Sequence, residues 1–79
     1  MPKATSKYRV NVVIERDKDG YFAYVPELKG CHSQGETLDE VMANIREATE
    51  LYLETISPAR RKELLSRETV NASIEVQVA

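Results

Sequence analysis

The sequence predicts an α+β fold in which one helical layer covers a small, mostly antiparallel sheet. Near both ends of the chain, and around an early turn, apolar residues alternate with polar ones as they do in half-buried strands. Between Thr37 and Ile56, apolar residues instead recur with the 3.6-residue period of an amphipathic helix. The predicted order, βββα(α)β, is that of a two-layer sandwich with one covered and one open sheet face.

Length and composition limit the classes of protein that need to be considered. A chain of 79 residues has room for one core, so we expect a single domain over residues 1–79 with its ordered part from about residue 7. One cysteine and no long apolar run indicate a cytoplasmic protein without a membrane span. With 11 basic and 13 acidic residues, the net charge of −2 suits a basic partner better than a nucleic acid.

The first three strands are predicted by alternation and by turn residues. Residues 8–15 alternate as a strand, and residues 17–20 have the Asp-Lys-Asp-Gly composition of a hairpin turn. Residues 21–25 are aromatic and favour a second strand. Residues 26–30 interrupt the ladder, because proline donates no backbone hydrogen bond, and residues 31–34 resume it as a short third strand.

The main helix is predicted to begin at a capping box. Thr37 and Glu40 have the T-x-x-E spacing in which each side chain satisfies a free backbone N–H group of the first helical turn. A serine and a proline at 57–58 then end this helix and start a shorter one, which ends near Ser66. The apolar stripe expected to cover the sheet contains Leu38, Val41, Met42, Ile45, Thr49, Tyr52 and Ile56, with Ala48 and Leu53 at its flanks.

Residues 72–78 alternate once more and predict a fourth strand that returns to the sheet, with Ile74, Val76 and Val78 on one face. The chain is expected to carry no further domain after it.

The open sheet face, which the helix does not cover, should expose Val13 and at least one of the aromatic residues Phe22 and Tyr24. Because the domain is small, we expect it to form a dimer or tetramer, and the predicted self-association residues are Asn11, Val13, Phe22 and Tyr24.

The segment GYFAYVPELKGCHSQGETLDEVMANIREA, residues 20–48, resembles the core of the HicB antitoxin family. It combines an Asp-Gly hairpin, an aromatic strand, V-P-x-L-x-G-C, a polar short strand, Q-G-x-T-x-x-E and an amphipathic helix in the family's order. The resemblance implies a partly degraded RNase H-like fold that neutralises a HicA-like toxin, a small basic ribonuclease, by covering its active site. Many family members add a C-terminal DNA-binding domain that is not found here, so direct DNA binding is not expected.

An RNase H-like fold also raises the alternative of a residual nuclease. The middle of the first strand, residues 10–14, offers apolar groups and an amide where metal-binding carboxylates would be needed. Asp17 and Asp19 have the positions of turn residues. Cys31 and His32 are neighbours on a strand, so their side chains point to opposite faces and cannot form a nucleophile and base pair. We therefore expect no enzyme activity, no metal and no cofactor.

The basic run Arg60-Arg61-Lys62 leaves a nucleic-acid-binding module open as a second alternative, reinforced by Lys3 and Lys7. The run lacks interleaved aromatic residues, and a solvated helix face explains it more simply. A stand-alone oligomeric domain with some other partner is the third alternative, and the sequence does not separate it from an antitoxin.

The outer side of the main helix supplies the predicted partner surface. A rotation of about 100° per residue aligns Glu40, Glu47 and Glu54 opposite the apolar stripe. Leu51 lies among these glutamates. This face would attract a basic toxin and bury an apolar contact at its centre. The simpler interpretation is a solubilising face with one stray leucine. The predicted partner-binding residues are Glu40, Asn44, Glu47, Glu50, Leu51 and Glu54.

Overall fold

Three antiparallel strands and two helices follow one another along the chain. The computed structural model describes residues 7–79. Its elements are β1 (Val13–Asp17), β2 (Gly20–Tyr24), β3 (His32–Gly35), α1 (Leu38–Glu54) and α2 (Pro58–Leu65), and the sheet order is β1-β2-β3. This arrangement confirms the predicted α+β class. The RNase H-like relationship implied by the family resemblance stays a prediction.

The hairpin between β1 and β2 forms as its turn residues predict. Asp17 pairs with Gly20, and the ladder continues to the pair of Val13 with Tyr24. The backbone N of Asp19 donates a 2.8 Å hydrogen bond to Oδ1 of Asp17. The Asp17 side chain therefore stabilises the turn, as short acidic side chains commonly do.

The first strand lies further along the chain than predicted. Alternation predicts a strand over residues 8–15, whereas β1 begins at Val13 and residues 8–12 belong to no strand. The reason is the partner: β2 ends at Tyr24, and the chain then turns at Pro26, so no neighbouring strand is present opposite residues 8–12. The short third strand is displaced by one residue for a similar reason, since it pairs only as far as β2 extends.

A buried carboxylate replaces the missing ladder partner beside residues 8–12. Oε2 of Glu27 accepts hydrogen bonds from the backbone N of Asn11 at 3.2 Å and from its Nδ2 at 2.8 Å. Glu27 is only 5% exposed, and its Oε1 has no hydrogen-bond partner among the described residues. Asn11 is therefore held against the loop that follows β2.

The predicted fourth strand does not form within the chain. Every residue from 70 to 79 is exposed, and none of them belongs to a strand. Ile74, Val76 and Val78, which were expected on the buried face, are 84%, 70% and 87% exposed. A strand needs a ladder partner, and no strand within residues 7–79 pairs with this segment. We call residues 70–78 the tail.

The helix α1 packs over β3 and β2, and the core lies between these layers. Half of the predicted capping box forms, because Oγ1 of Thr37 accepts from the backbone N of Glu40 at 3.0 Å. The reciprocal bond from the backbone N of Thr37 to the Glu40 side chain is not found among the described residues. In the predicted stripe, two leading positions are wrong: Leu38 is 49% and Met42 is 41% exposed, because α1 leans away from the β1 side of the sheet. The fully buried apolar residues are Ala23, Val25, Leu28, Cys31, Val41 and Ile45.

The helix α2 is held in place by Arg61 and by Leu64 and Leu65, which pack against the core. Oγ of Ser57 caps α2 by accepting from the backbone N of Arg60 at 3.1 Å, as predicted. Nε of Arg61 donates to the carbonyl oxygen of Leu53 at 2.6 Å, and its guanidinium lies 6.0 Å from the centre of the Tyr8 ring. A cation at the C-terminal end of α1 is favourable because the last carbonyls there carry partial negative charge.

Candidate functional site

The outer side of α1 carries an exposed row of carboxylates. Glu40, Glu47 and Glu54 are all exposed, and Leu51 beside them is 57% exposed. We call these four residues the acidic face. The whole helix has five carboxylates and one arginine, so its field toward solvent is negative.

A cavity at the hairpin continues the acidic face. Its volume is about 780 Å³, and Glu40 contributes to both surfaces. Arg16 is the basic residue in its wall, and its guanidinium lies 5.4 Å from the centre of the Tyr21 ring. The carboxylates that line the cavity are Glu15, Asp17, Asp19, Glu36 and Glu40. Carboxylates are therefore exposed both around the hairpin and along the outer side of α1, and Glu40 belongs to both surfaces.

The remaining two predicted partner-binding residues flank the acidic face. At about 100° per residue, Asn44 lies about 20° around the helix from Leu51, and Glu50 lies about 40° from Glu54. Nδ2 of Asn44 donates a 2.9 Å hydrogen bond to the carbonyl oxygen of Gln34, which ties α1 to β3. Glu50 also lines, with Arg46, a groove between α1 and the segment that precedes β1.

The open sheet face is aromatic. Phe22 is 41% exposed, and its ring centre lies 6.2 Å from that of Tyr24 and 5.7 Å from that of His32. Val13 pairs with Tyr24 and shares this face. Three of the four predicted self-association residues thus meet, whereas Asn11 is bonded to the loop after β2. Because Tyr24 pairs with His32, the histidine lies on this face as well. Alternation within one strand could not show this, since it does not tell which residues lie opposite each other on neighbouring strands.

The cysteine and histidine neighbours are separated by the strand pleat, as predicted. Cys31 is 4% exposed, and its Sγ lies 3.6 Å from Oγ1 of Thr49, whereas His32 is exposed. Oγ1 of Thr49 donates its single proton to the carbonyl oxygen of Ile45 at 2.7 Å, so the thiol is the donor of the other bond. This side-chain arrangement holds α1 on the sheet and does not assemble a nucleophile with a base.

The basic run on α2 is largely engaged within the chain. Nη1 of Arg60 contacts Oε1 of Glu63 at 2.9 Å, and Arg61 is bonded to the end of α1. Lys62 is exposed. Lys3, which was expected to reinforce this run, lies outside the described residues. The geometry therefore does not favour the nucleic-acid alternative. Within residues 7–79, no group of three or more His, Cys, Asp or Glu side chains could hold a metal ion.

These features define a small α+β domain whose described part presents binding surfaces rather than an assembled catalytic centre. The chain belongs to the family of HicB-like antitoxins of bacterial toxin–antitoxin systems, whose model matches residues 8–77. Membership indicates a role in a toxin–antitoxin system, a toxin as partner and a non-enzymatic function. None of the helices within residues 7–79 is long and apolar enough to cross a membrane.

Relatives occur in bacteria and archaea. A UPF0150 protein of Helicobacter pylori is 47% identical over 89% of this chain and 97% of its own length. A UPF0150 protein of Synechocystis is 50% identical over 82% of this chain and 96% of its own length. An archaeal UPF0150 protein, from Archaeoglobus fulgidus, is 57% identical over 54% of this chain and 64% of its own length. No solved structure matches the chain.

Proposed function

We propose that this chain acts in the cytoplasm as an antitoxin that binds a HicA-like, mRNA-cleaving toxin and covers its active site. Family membership supports the toxin–antitoxin role. One observation supports the more specific proposal that the chain covers the active site of a basic ribonuclease. The acidic face and the hairpin cavity share Glu40, and both expose mainly carboxylates. A ribonuclease needs a basic surface to hold RNA, so a carboxylate-rich protein competes for the same surface.

Leu51 gives this electrostatic surface an apolar centre. Exposed ion pairs mainly accelerate association and weaken as salt is added, so the glutamates alone would provide limited affinity. An aliphatic side chain that becomes buried at the centre of an interface adds affinity that salt does not screen. At 57% exposed, Leu51 has apolar surface to bury, and carboxylates surround it.

The function is tested with the gene adjacent to the coding sequence of this chain. Expression of that gene alone should stop growth and degrade mRNA, and co-expression of this chain should restore growth and yield a complex that copurifies. A neighbouring product that is harmless, or that is toxic but does not bind this chain, would refute the antitoxin function.

The surface is tested with charge reversals matched for total charge. The double variant Glu47→Lys/Glu54→Lys should weaken toxin binding at least tenfold at low salt, and Leu51→Asp should weaken it at low and high salt alike. The control is Glu63→Lys/Glu68→Lys, which makes the same charge change away from the acidic face and should bind nearly as wild type. Unchanged affinity in both test variants would place the toxin on the open sheet face instead.

The open sheet face is the second available surface. We infer that Val13, Phe22 and Tyr24 contact another protein, either the toxin or another copy of this chain. The three side chains are neighbours and are partly exposed, which is typical of a binding surface. Phe22→Ser measures its use, since the substitution removes the central ring without touching the core. Loss of toxin binding or of oligomers in this variant would identify which contact the aromatic residues serve.

A further inference from the structure

A groove runs between α1 and the segment that precedes β1. It has a volume of about 380 Å³ and forms because α1 packs over β3 and β2 and leaves the β1 side uncovered. Its charged wall residues are Arg9, Arg46 and Glu50. The apolar wall consists of Tyr8, Val10, Val12, Met42, Ile45 and Leu53. We call this feature the edge groove.

The edge groove lies beside residues 8–12, which lead into β1, a strand at an unpaired edge of the sheet. The order β1-β2-β3 leaves one side of β1 without a neighbouring strand among the described residues. The other edge, β3, differs because α1 already occupies the carbonyl oxygen of Gln34 through Asn44. Unpaired N–H and C=O groups at a sheet edge are a template for a further strand. The β1 side therefore offers backbone partners and an apolar wall together.

The tail has the complementary properties. It alternates aliphatic Ile74, Val76 and Val78 with polar side chains, the pattern of a strand with one buried face. Nevertheless these three side chains are 70% or more exposed, and the tail has no ladder partner among residues 7–79. Its nine residues would span about 30 Å as a strand, which is long enough to cover the five residues of β1 and to continue past them.

We propose that the tail of one copy pairs with the β1 edge of a second copy and inserts Ile74, Val76 and Val78 into the second copy's edge groove. Each copy carries both complementary surfaces, so two copies exchange tails and form a closed, two-fold symmetric dimer. The polar face of the tail, with Ser73, Glu75 and Gln77, stays in solvent, so its single charged side chain is not buried by the pairing.

The proposal is tested on the full chain, without a toxin, by sedimentation over a range of protein concentrations. The wild type should be a dimer. In Ile74→Asp/Val76→Asp the dissociation constant should rise at least about a hundredfold, because each exchange site loses the burial of two aliphatic side chains. The control Ser73→Asp/Gln77→Asp adds the same charge to the opposite face of the tail and should remain dimeric. A monomeric wild type, or an unchanged dimer in the first variant, would refute the exchange.

A second measurement separates exchange from a tail that folds back onto its own chain. A photo-crosslinker is placed at Ile74 in the full chain, and ¹⁴N-labelled and ¹⁵N-labelled copies are denatured and refolded together. Exchange predicts that peptides around Val10 and Met42 become joined to the tail of a copy with the other isotope. Crosslinks confined to a single chain would show that the tail fills its own groove and would overturn the proposal. Neither result depends on the antitoxin function, because no toxin is present.

Discussion

The close approach of α1 to β3 at Gly35 gives a sharp test of the packing. A Cβ atom on residue 35 would lie 2.7 Å from the backbone N of Val41, 3.0 Å from its Cα and 3.1 Å from the carbonyl carbon of Glu40. All three atoms belong to helix backbone and cannot rotate away, so Gly35→Ala must displace α1. Overpacking of this kind costs about 1–3 kcal/mol, and the rigid contact puts Gly35→Ala near the upper end of that range.

The loss is large for a domain of this size. A chain of 79 residues is expected to have a free energy of unfolding of about 4–12 kcal/mol. Each kcal/mol lowers the Tm by about 4–8 °C, so Gly35→Ala should lower it by about 10–20 °C. Thermal unfolding followed by circular dichroism, at one fixed protein concentration, measures the change. A fixed concentration is needed because self-association would raise the Tm.

Gly30→Ala is the matched control. Gly30 has φ +83, and a Cβ there would meet no heavy atom within 4 Å, so this substitution carries only the strain of a left-handed backbone, about 1 kcal/mol. Its Tm should fall by about 5 °C. If Gly35→Ala were no less stable than Gly30→Ala, α1 would not rest against β3 as closely as described, and the account of the core would be wrong.

Two further predictions concern buried polar contacts away from the acidic face. Arg61→Ala should lower the free energy of unfolding by about 1–2 kcal/mol in urea denaturation, because the carbonyl oxygen of Leu53 then keeps only the long 3.4 Å bond from the backbone N of Ile56. The exposed control Lys62→Ala should change it by less than about 0.5 kcal/mol. Equal effects would exclude the proposed cap. Glu27→Ala should cost about 1–3 kcal/mol by the same assay, because Asn11 loses its acceptor. Glu27→Gln, which keeps an acceptor oxygen, should restore part of that loss, and no restoration would contradict the hydrogen-bond explanation.

The parts of the fold that depend on neighbouring residues could be predicted from the sequence. The hairpin turn, the Thr37 cap and the Ser57 cap each depend on contacts within three residues, and all three form. Strand limits depend on a distant partner. Residues 8–12 alternate as a strand should, but their partner is removed where the chain turns at Pro26, which local alternation cannot show.

The candidate surfaces divide in the same way. Helical rotation identifies Glu47, Leu51 and Glu54 correctly as exposed on one side of α1. It could not identify the hairpin cavity that adjoins this side of α1 at Glu40, because the walls of the cavity come from β1, β2, β3 and the start of α1. The edge groove was not predicted either, because residues 72–78 were expected to return to the sheet as a fourth strand.

The buried thiol of Cys31, which lies against α1, can be used to measure local opening of the structure. Cys31 is the sole cysteine of the sequence, is 4% exposed and donates to Thr49 on the inner side of the helix. A thiol reagent reaches this buried group through local opening of the structure around it, in α1 or in the loop that follows β2, so the labelling rate measures how often the core opens in the native state. The same labelling rate, measured with and without a bound toxin, would show whether binding leaves the rate of core opening unchanged or lowers it.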